Sequence, residues 1–382
     1  MSKAEPRLIY LDSAATSLQK PPGVGKAMLR AMQTMASPGR GGHRPAMLAA
    51  ETAFNCRSAA AALFHVPEPE QVVFTLNATH AINIAINDMV QRGDRVVVSG
   101  YEHNAVMRAL ALHGADVDVA ASPLFDTEAA IDAFRQKLPG AKAAIVCHVS
   151  NVFGFILPVE EIAALCKRYG VPLLIDASQS AGCVPVDFSA LHADYIAMPG
   201  HKGLMGPQGT GILLCARTPQ PLLAGGTGSE SRKMTMPDFL PDREEAGTHN
   251  IPGIAGLLEG IRYVQRKTPE RILQHEKMLL RQAAGVLRYV PVLTLFVSET
   301  PANQAGVLSF RADGVDCEML ASALGEMGVA VRGGYHCAPL AHETGGTLAS
   351  GTVRESFSAF NSADDVLHMA ERMKKCLKNF KK

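Results

Sequence analysis

From about residue 70 the chain alternates short apolar, β-branched runs with stretches whose apolar residues recur at helical spacing. Gln71-Val-Val-Phe-Thr75 predicts a strand, and Ile82, Ile86, Met89 and Val90 then fall on one face of a helix. Asp94-Arg-Val-Val-Val-Ser99 predicts the next strand. Asp126-Thr-Glu opens a helix carrying Ile131, Phe134 and Leu138, which Pro139-Gly140 stops. Lys142-Ala-Ala-Ile-Val-Cys-His-Val149 is strand-like again. A helix follows from Pro158, with Ile162 and Leu165 on its face and Gly170 at its end, before the apolar run Val171-Pro-Leu-Leu-Ile-Asp176. Such a βαβα order implies an α/β fold with a mainly parallel sheet covered by helices on both faces.

Beyond about residue 260 the grain changes. A long helical pattern around Arg271 to Tyr289 precedes short strands at Val292-Leu-Thr-Leu-Phe296 and Gly306-Val-Leu-Ser-Phe310, which fits a smaller α+β domain. At 382 residues the chain exceeds the size at which one core stops growing, so two domains are expected: a large one over 18–260 and a small one from 1–17 with 261–382. Ligands of parallel sheets bind at the carboxyl ends of the strands. The polar residues just after each apolar run are Asn77-Ala78-Thr79, His103, Ser150-Asn151, Asp176 to Gln179 and His201-Lys202.

Charge narrows the function. With 37 Lys+Arg against 36 Asp+Glu, no field is available to draw in nucleic acid or an anionic membrane. No stretch has the length and apolarity of a signal peptide or membrane span, so a cytoplasmic location is the expectation. Eight scattered cysteines without a C-x-x-C pair predict reduced thiols, most of them in apolar runs where Cys is a small buried hydrophobe.

Lys202 sits among glycines in Gly200-His-Lys-Gly-Leu-Met-Gly-Pro-Gln-Gly209. The plain reading is a solvated loop lysine; the sharper one is a Schiff-base lysine whose glycines let backbone approach a cofactor. Asp176, ending its apolar run some two dozen residues earlier, stands where a partner for a pyridinium nitrogen should. Ile175-Asp-Ala-Ser-Gln-Ser-Ala-Gly182, Gly200-His-Lys-Gly and Gly206-Pro-Gln-Gly together resemble the class V aminotransferase superfamily, within it the cysteine desulfurases and selenocysteine lyases. The likeness runs from Tyr10-Leu-Asp-Ser-Ala-Ala-Thr16 to Val353-Arg-Glu-Ser-Phe357.

That resemblance implies the pyridoxal 5'-phosphate (PLP) transferase fold of type I, with a seven-stranded sheet and a smaller C-terminal domain. It implies that Lys202 carries the cofactor, Asp176 pairs with the ring nitrogen, and Gln179 and Asn151 lie near the ring hydroxyl. His103 would stack on the ring and shuttle protons, while Ala78, Thr79 and His201 would hold the phosphate. Thr248, in Glu245-Ala-Gly-Thr-His-Asn250, matches a threonine that reaches the phosphate of a neighbouring subunit, which implies a homodimer. The alternatives for His103 and Asn151 are a helix cap and a turn former. Pro199, His80 and His249 depart from the family's usual Ser or Thr, Glu and Pro.

The segment Val331-Arg-Gly-Gly-Tyr-His-Cys337-Ala-Pro-Leu340 resembles the Arg-x-Gly-x-His-Cys-Ala loop of the group II desulfurases, with Tyr335 for a frequent His. The implied reaction takes L-cysteine to L-alanine, leaves a persulfide on Cys337 and passes its sulfur to an acceptor protein. His336 and Arg332 are expected to favour the thiolate. Arg354 would clamp the substrate carboxylate, with Arg332 and Asn151 also near the substrate. Arg40 and His43 resemble an entrance loop, and the glycine-rich stretch 338–351 suggests a mobile lid. Selenocysteine lyase, and a class V aminotransferase or lyase with a bystander Cys337, stay open. No metal or nucleic-acid partner is expected.

Overall fold

The computed structural model describes residues 7–38 and 41–380. Strand β1 (Ile9–Tyr10) precedes helices α1 (Pro22–Thr34) and α2 (Arg44–Phe64). The alternating stretch then runs β2 (Val72–Thr75), α3 (Ala78–Met89), β3 (Arg95–Ser99), α4 (Asn104–His113), β4 (Asp116–Ala120), α5 (Thr127–Lys137), β5 (Ala143–Cys147), α6 (Val159–Tyr169) and β6 (Leu173–Asp176). After α7 (Phe188–Leu191) come β7 (Tyr195–Pro199), β8 (Gly211–Cys215) and α8 (Ile251–Lys267). The remainder comprises α9 (Pro269–Leu287), β9 (Leu293–Phe296), β10 (Val307–Ala312), α10 (Cys317–Glu326), β11 (Val329–Ala330), β12 (Arg332–Gly334), α11 (Pro339–Thr344), β13 (Thr352–Ser356) and α12 (Ala363–Asn379).

Seven strands form one sheet in the order β2-β8-β7-β6-β5-β3-β4. All pairs are parallel except those made by β8, which runs antiparallel to both β2 and β7. The other six strands therefore point the same way, and the residues after β2, β3, β5, β6 and β7 share one edge. The period of two explains why these strands are apolar throughout. Val97, Ala144, Val146, Leu173 and Ile175 enter the core beneath α2, α6 and α8, while Val96, Val98, Ala143, Ile145 and Leu174 enter the core beneath α3 and α4. Sequence reading missed the outermost strand β4: its alternation Asp-Val-Asp-Val is half-exposed at a sheet edge, and its acids suit an edge.

A second sheet, β12-β13-β10-β9, is antiparallel throughout. It packs on α9, α10 and α12 through a core that includes Leu279, Leu308, Phe310, Leu320 and Met369. Ile9 and Leu11 join this core, and β1 pairs with β11 in parallel, so the first described residues lie with the last third of the chain. The stretch 338–351 differs from the expected lid. Ala341, His342 and Thr347 are buried, and His342 Nδ1 lies 2.7 Å from Thr347 Oγ1, which ties α11 to the following turn.

One core position carries a cost. Glu355 on β13 is fully buried, and neither carboxylate oxygen has a hydrogen-bond partner among the described residues. Burial pushes its carboxyl up from the ordinary 4.5 to about 8. The folded state therefore holds this proton more tightly than the unfolded chain. The penalty is absent below about pH 4.5, grows as pH rises towards the folded value, and reaches roughly 3 kcal/mol at neutral pH. Glu355→Met should accordingly raise the melting temperature, with a gain over wild type that widens between about pH 5 and pH 8 in thermal unfolding. A gain that does not change with pH would count against this account.

Candidate active site

Residues from the shared sheet edge surround a cavity of about 230 Å³. Lys202 is carried there by the turn after β7. Backbone crowding makes that turn glycine-rich: a Cβ at Gly203 would lie 2.3 Å from the carbonyl oxygen of Ala181, and one at Gly182 would lie 2.4 Å from that of Gly203. Burial lowers the Lys202 amine to about 8; the Asp176 carboxylate opposes the shift, and the Arg354 and Arg332 charges add to it. Asp176 ends β6, paired in register with Cys147 on one side and Ala197 on the other. One of its oxygens, Oδ1, accepts the Ser178 N–H at 2.9 Å.

His103 lies at the same edge and serves two purposes. It is the N-cap of α4, with Nδ1 accepting the Ala105 N–H at 3.0 Å, and its ring lines the cavity. The capping bond places the ring proton on Nε2. Burial lowers its pKa, countered in part by Asp176 and reinforced by Lys202. Opposite, α3 begins at the cavity wall: Asn77 caps it by accepting the His80 N–H at 2.9 Å, and Ala78 and Thr79 line the space. A helix N-terminus of this kind favours an anion. His201 also lines the cavity, its Nδ1 3.0 Å from Thr16 Oγ1, and burial with the Lys202 and Lys20 charges lowers it to about 4, so its ring is neutral.

Gln179 and Asn151 complete the walls. Gln179 donates to the Ala14 carbonyl at 3.0 Å, and Asn151 donates through Nδ2 to the His336 carbonyl at 2.8 Å, leaving its buried Oδ1 without a partner among the described residues. Arg354, on β13, is buried with Nη2 on Asp12 at 2.8 Å and Nη1 on the Asn151 carbonyl at 2.9 Å, while Nε has no partner among the described residues. Asp12 had no role in the sequence reading; its signal was the Tyr10–Thr16 motif, but its partner lies 342 residues away. Cys147, read as an ordinary core residue, and Pro199, which has no N–H to offer, also face the cavity.

Cys337 stands outside this lining, in the turn between β12 and α11, and is exposed. Arg332 connects the two places: it lines the cavity, and its Nη2 lies 4.0 Å from Cys337 Sγ. His336 and Cys337 have φ of 50° and 57°, a left-handed pair that non-glycine residues rarely adopt. The turn is held by hydrogen bonds from Asn104 N–H to the Cys337 carbonyl at 2.8 Å and from Asn151 to the His336 carbonyl. The His336 ring bonds to Thr352, with Nε2 3.1 Å from Thr352 Oγ1, and burial lowers its pKa to about 2. It is neutral at working pH, so of the two residues expected to assist the thiolate only Arg332 supplies charge beside it.

Other expected residues lie elsewhere. Thr248 is exposed in a separate hollow, which His80 and His249 also line; His249 Nε2 is 3.2 Å from Glu245 Oε2. His43 is exposed and caps α2, and Arg40 lies outside the described residues. Among the described residues no group of three or more metal-ligating side chains converges, and no helix is long and apolar enough to cross a membrane.

A lysine and an aspartate lining one cavity at the carboxyl edge of a mainly parallel sheet, beside a helix N-terminus, mark the site of an α/β enzyme. The chain belongs to the aminotransferase class-V family, whose model matches residues 9–369. It is 32% identical to a probable cysteine desulfurase of Pyrococcus abyssi, over 97% of this chain and 96% of that protein. Among solved structures it resembles apo cysteine desulfurase from Thermococcus onnurineus, with a TM-score of 0.88, 32% identity, and coverage of 97% and 95% of the two chains. It also resembles the S-sulfonic acid form of a cysteine desulfurase from Escherichia coli, with a TM-score of 0.85 and 26% identity over 97% of this chain and 95% of that one.

Proposed function

We propose that this chain is a pyridoxal-phosphate-dependent cysteine desulfurase that converts L-cysteine to L-alanine and holds the released sulfur on Cys337. The observation that carries the reading is the pairing of a half-buried Lys202 in the cavity with an exposed Cys337 that Arg332 connects to it. The donor set fits the cofactor. Lys202 would hold it covalently, Asp176 would face its ring nitrogen, and His103 would lie against the ring. Gln179 and the unpartnered Oδ1 of Asn151 would lie near its hydroxyl, and the α3 N-terminus at Ala78 and Thr79, with His201, would take its phosphate. When bound, the cofactor supplies an electron sink for the substrate's α-carbon.

The chain's own groups carry the remaining work. Arg354 and Arg332 offer cationic surface to the substrate carboxylate. Arg354 does so from a position fixed by Asp12 and Asn151. The Lys202 amine, lowered to about 8, accepts a proton from the α-carbon. Cys337 Sγ attacks the substrate sulfur: a sulfur–sulfur bond forms as the carbon–sulfur bond breaks, the electron pair returns to carbon, and protonation there yields alanine. The exposed turn presents the resulting persulfide to an acceptor protein. The exposed Thr248, beside Leu76 and Leu223, supports a homodimer in which it serves the second subunit. A second core confined to 1–17 and 261–382 supports a large domain, 18–260, and a small one from 1–17 and 261–382, although Ile261, Ala338 and Ala341 pack into the first core. We take the cytoplasm as its location.

The test is to supply L-cysteine, or L-selenocysteine in parallel, and measure alanine together with the mass of the Cys337 peptide. Alanine with one added sulfur on that peptide is expected. Alanine from selenocysteine alone would reassign the substrate, and alanine without a modified peptide would refute the role of Cys337.

A further inference from the structure

Adjoining this cavity at Lys202 lies a second and smaller chamber of about 40 Å³, which Arg332 does not line. Ala14, Ser178, Gln179 and Lys202 line both spaces and so form the partition between them. Its lining includes Glu276 of α9, whose carboxyl is buried. Its Oε1 receives the Cys183 thiol at 3.8 Å. Among the described residues lining the chamber, Lys202 is the one cation, Glu276 the one carboxyl and Cys183 the one thiol. The remaining polar wall is hydroxyl-rich, and Ser13 Oγ is buried there without a hydrogen-bond partner among the described residues.

Two glycines keep this space open. A Cβ at Gly306 would lie 2.6 Å from that of Glu276, and a Cβ at Gly203, next to Lys202, would lie 2.7 Å from Cys183 Sγ. The volume admits about two water molecules, and the hydroxyls supply the polar partners that buried water needs. We propose that Glu276 is a proton reservoir for Lys202, the two exchanging one proton through ordered water in this chamber. The step is balanced within the pair: carboxylic acid and free amine become carboxylate and ammonium, and the reverse transfer restores them. Burial raises the Glu276 carboxyl to about 8, matching the Lys202 amine at about 8, so the proton moves between groups of similar affinity. The Cys183 hydrogen bond acts the other way on Glu276, holding it lower than burial alone would.

This inference rests on the Lys202 role proposed above, and its test has two parts. In protein purified without cofactor, the infrared difference between wild type and Glu276→Gln at neutral pH should show the carbonyl stretch of a protonated carboxyl, fading as pH rises past about 8. In loaded enzyme, exchange of the α-hydrogen of L-alanine in heavy water should slow about tenfold in Glu276→Gln and lose its pH-dependent limb. Cys183→Ala should move that limb to higher pH. An ionised Glu276 at neutral pH, or a Glu276→Gln enzyme with the wild-type rate and pH profile, would overturn the proposal. Alanine exchange needs neither sulfur nor Cys337, so wild-type protein that exchanges alanine yet releases none from cysteine refutes the desulfurase reading and supports the relay only if the variants behave as stated.

Discussion

Cys337→Ala is expected to abolish alanine release from L-cysteine, by about a thousandfold or more, while exchange of the L-alanine α-hydrogen continues. The asymmetry follows from where the residue sits. Cys337 is exposed and outside the cavity that holds Lys202, Asp176 and His103, so its sulfur can be removed without disturbing proton chemistry at the α-carbon. Alanine is the right replacement because it keeps a Cβ at a backbone φ of 57° and so leaves the turn under the same constraint. Glycine would relax the turn and confuse loss of the thiol with loss of its position. Removing one exposed side chain should change stability by no more than about 0.5 kcal/mol, which thermal unfolding will confirm. Continued desulfuration in this variant would make Cys337 a bystander and return the chain to the wider chemistry of its family.

How far the site was legible in the sequence depended on what made each residue visible. The central strands of the large sheet are buried on both faces, so β3, β5 and β6 stood out as continuous apolar runs, and the polar residue ending each run marked the cavity edge. Asp176, His103 and Lys202 were found by that rule together with family motifs. The turn carrying Cys337 was visible as a motif, but its left-handed backbone and its clamps from Asn104 and Asn151 were not, because those bonds join segments some two hundred residues apart. The same limit hid Asp12 beneath Arg354 and Glu276 in the chamber adjoining Lys202. His336 shows the opposite failure: adjacency to Cys337 suggested electrostatic help, whereas the ring faces Thr352 and burial keeps it neutral. The glycines of 338–351 suggested mobility, yet the buried His342 and Thr347 pin that stretch.

Lys202→Met is expected to eliminate both alanine release and α-hydrogen exchange, by about a thousandfold or more, and at the same time to stabilise the protein lacking cofactor. The second effect distinguishes a catalytic lysine from a structural one. Burial lowers the amine from 10.5 to about 8, so the folded state disfavours its charged form. That penalty is absent above about pH 10.5, grows as pH falls, and is full below about 8. Allowing for the side of the amine that meets cavity water, it amounts to roughly 2 kcal/mol at neutral pH. A methionine of similar length avoids it, because its uncharged thioether has no comparable desolvation cost. The melting temperature of the variant should therefore exceed that of wild type near pH 7, and the difference should shrink as pH approaches 10. If Lys202→Met instead destabilised the cofactor-free protein at neutral pH, the lysine would be holding the cavity together through the Asp176 carboxylate. The low proton affinity would then not mark a residue kept under strain for chemistry.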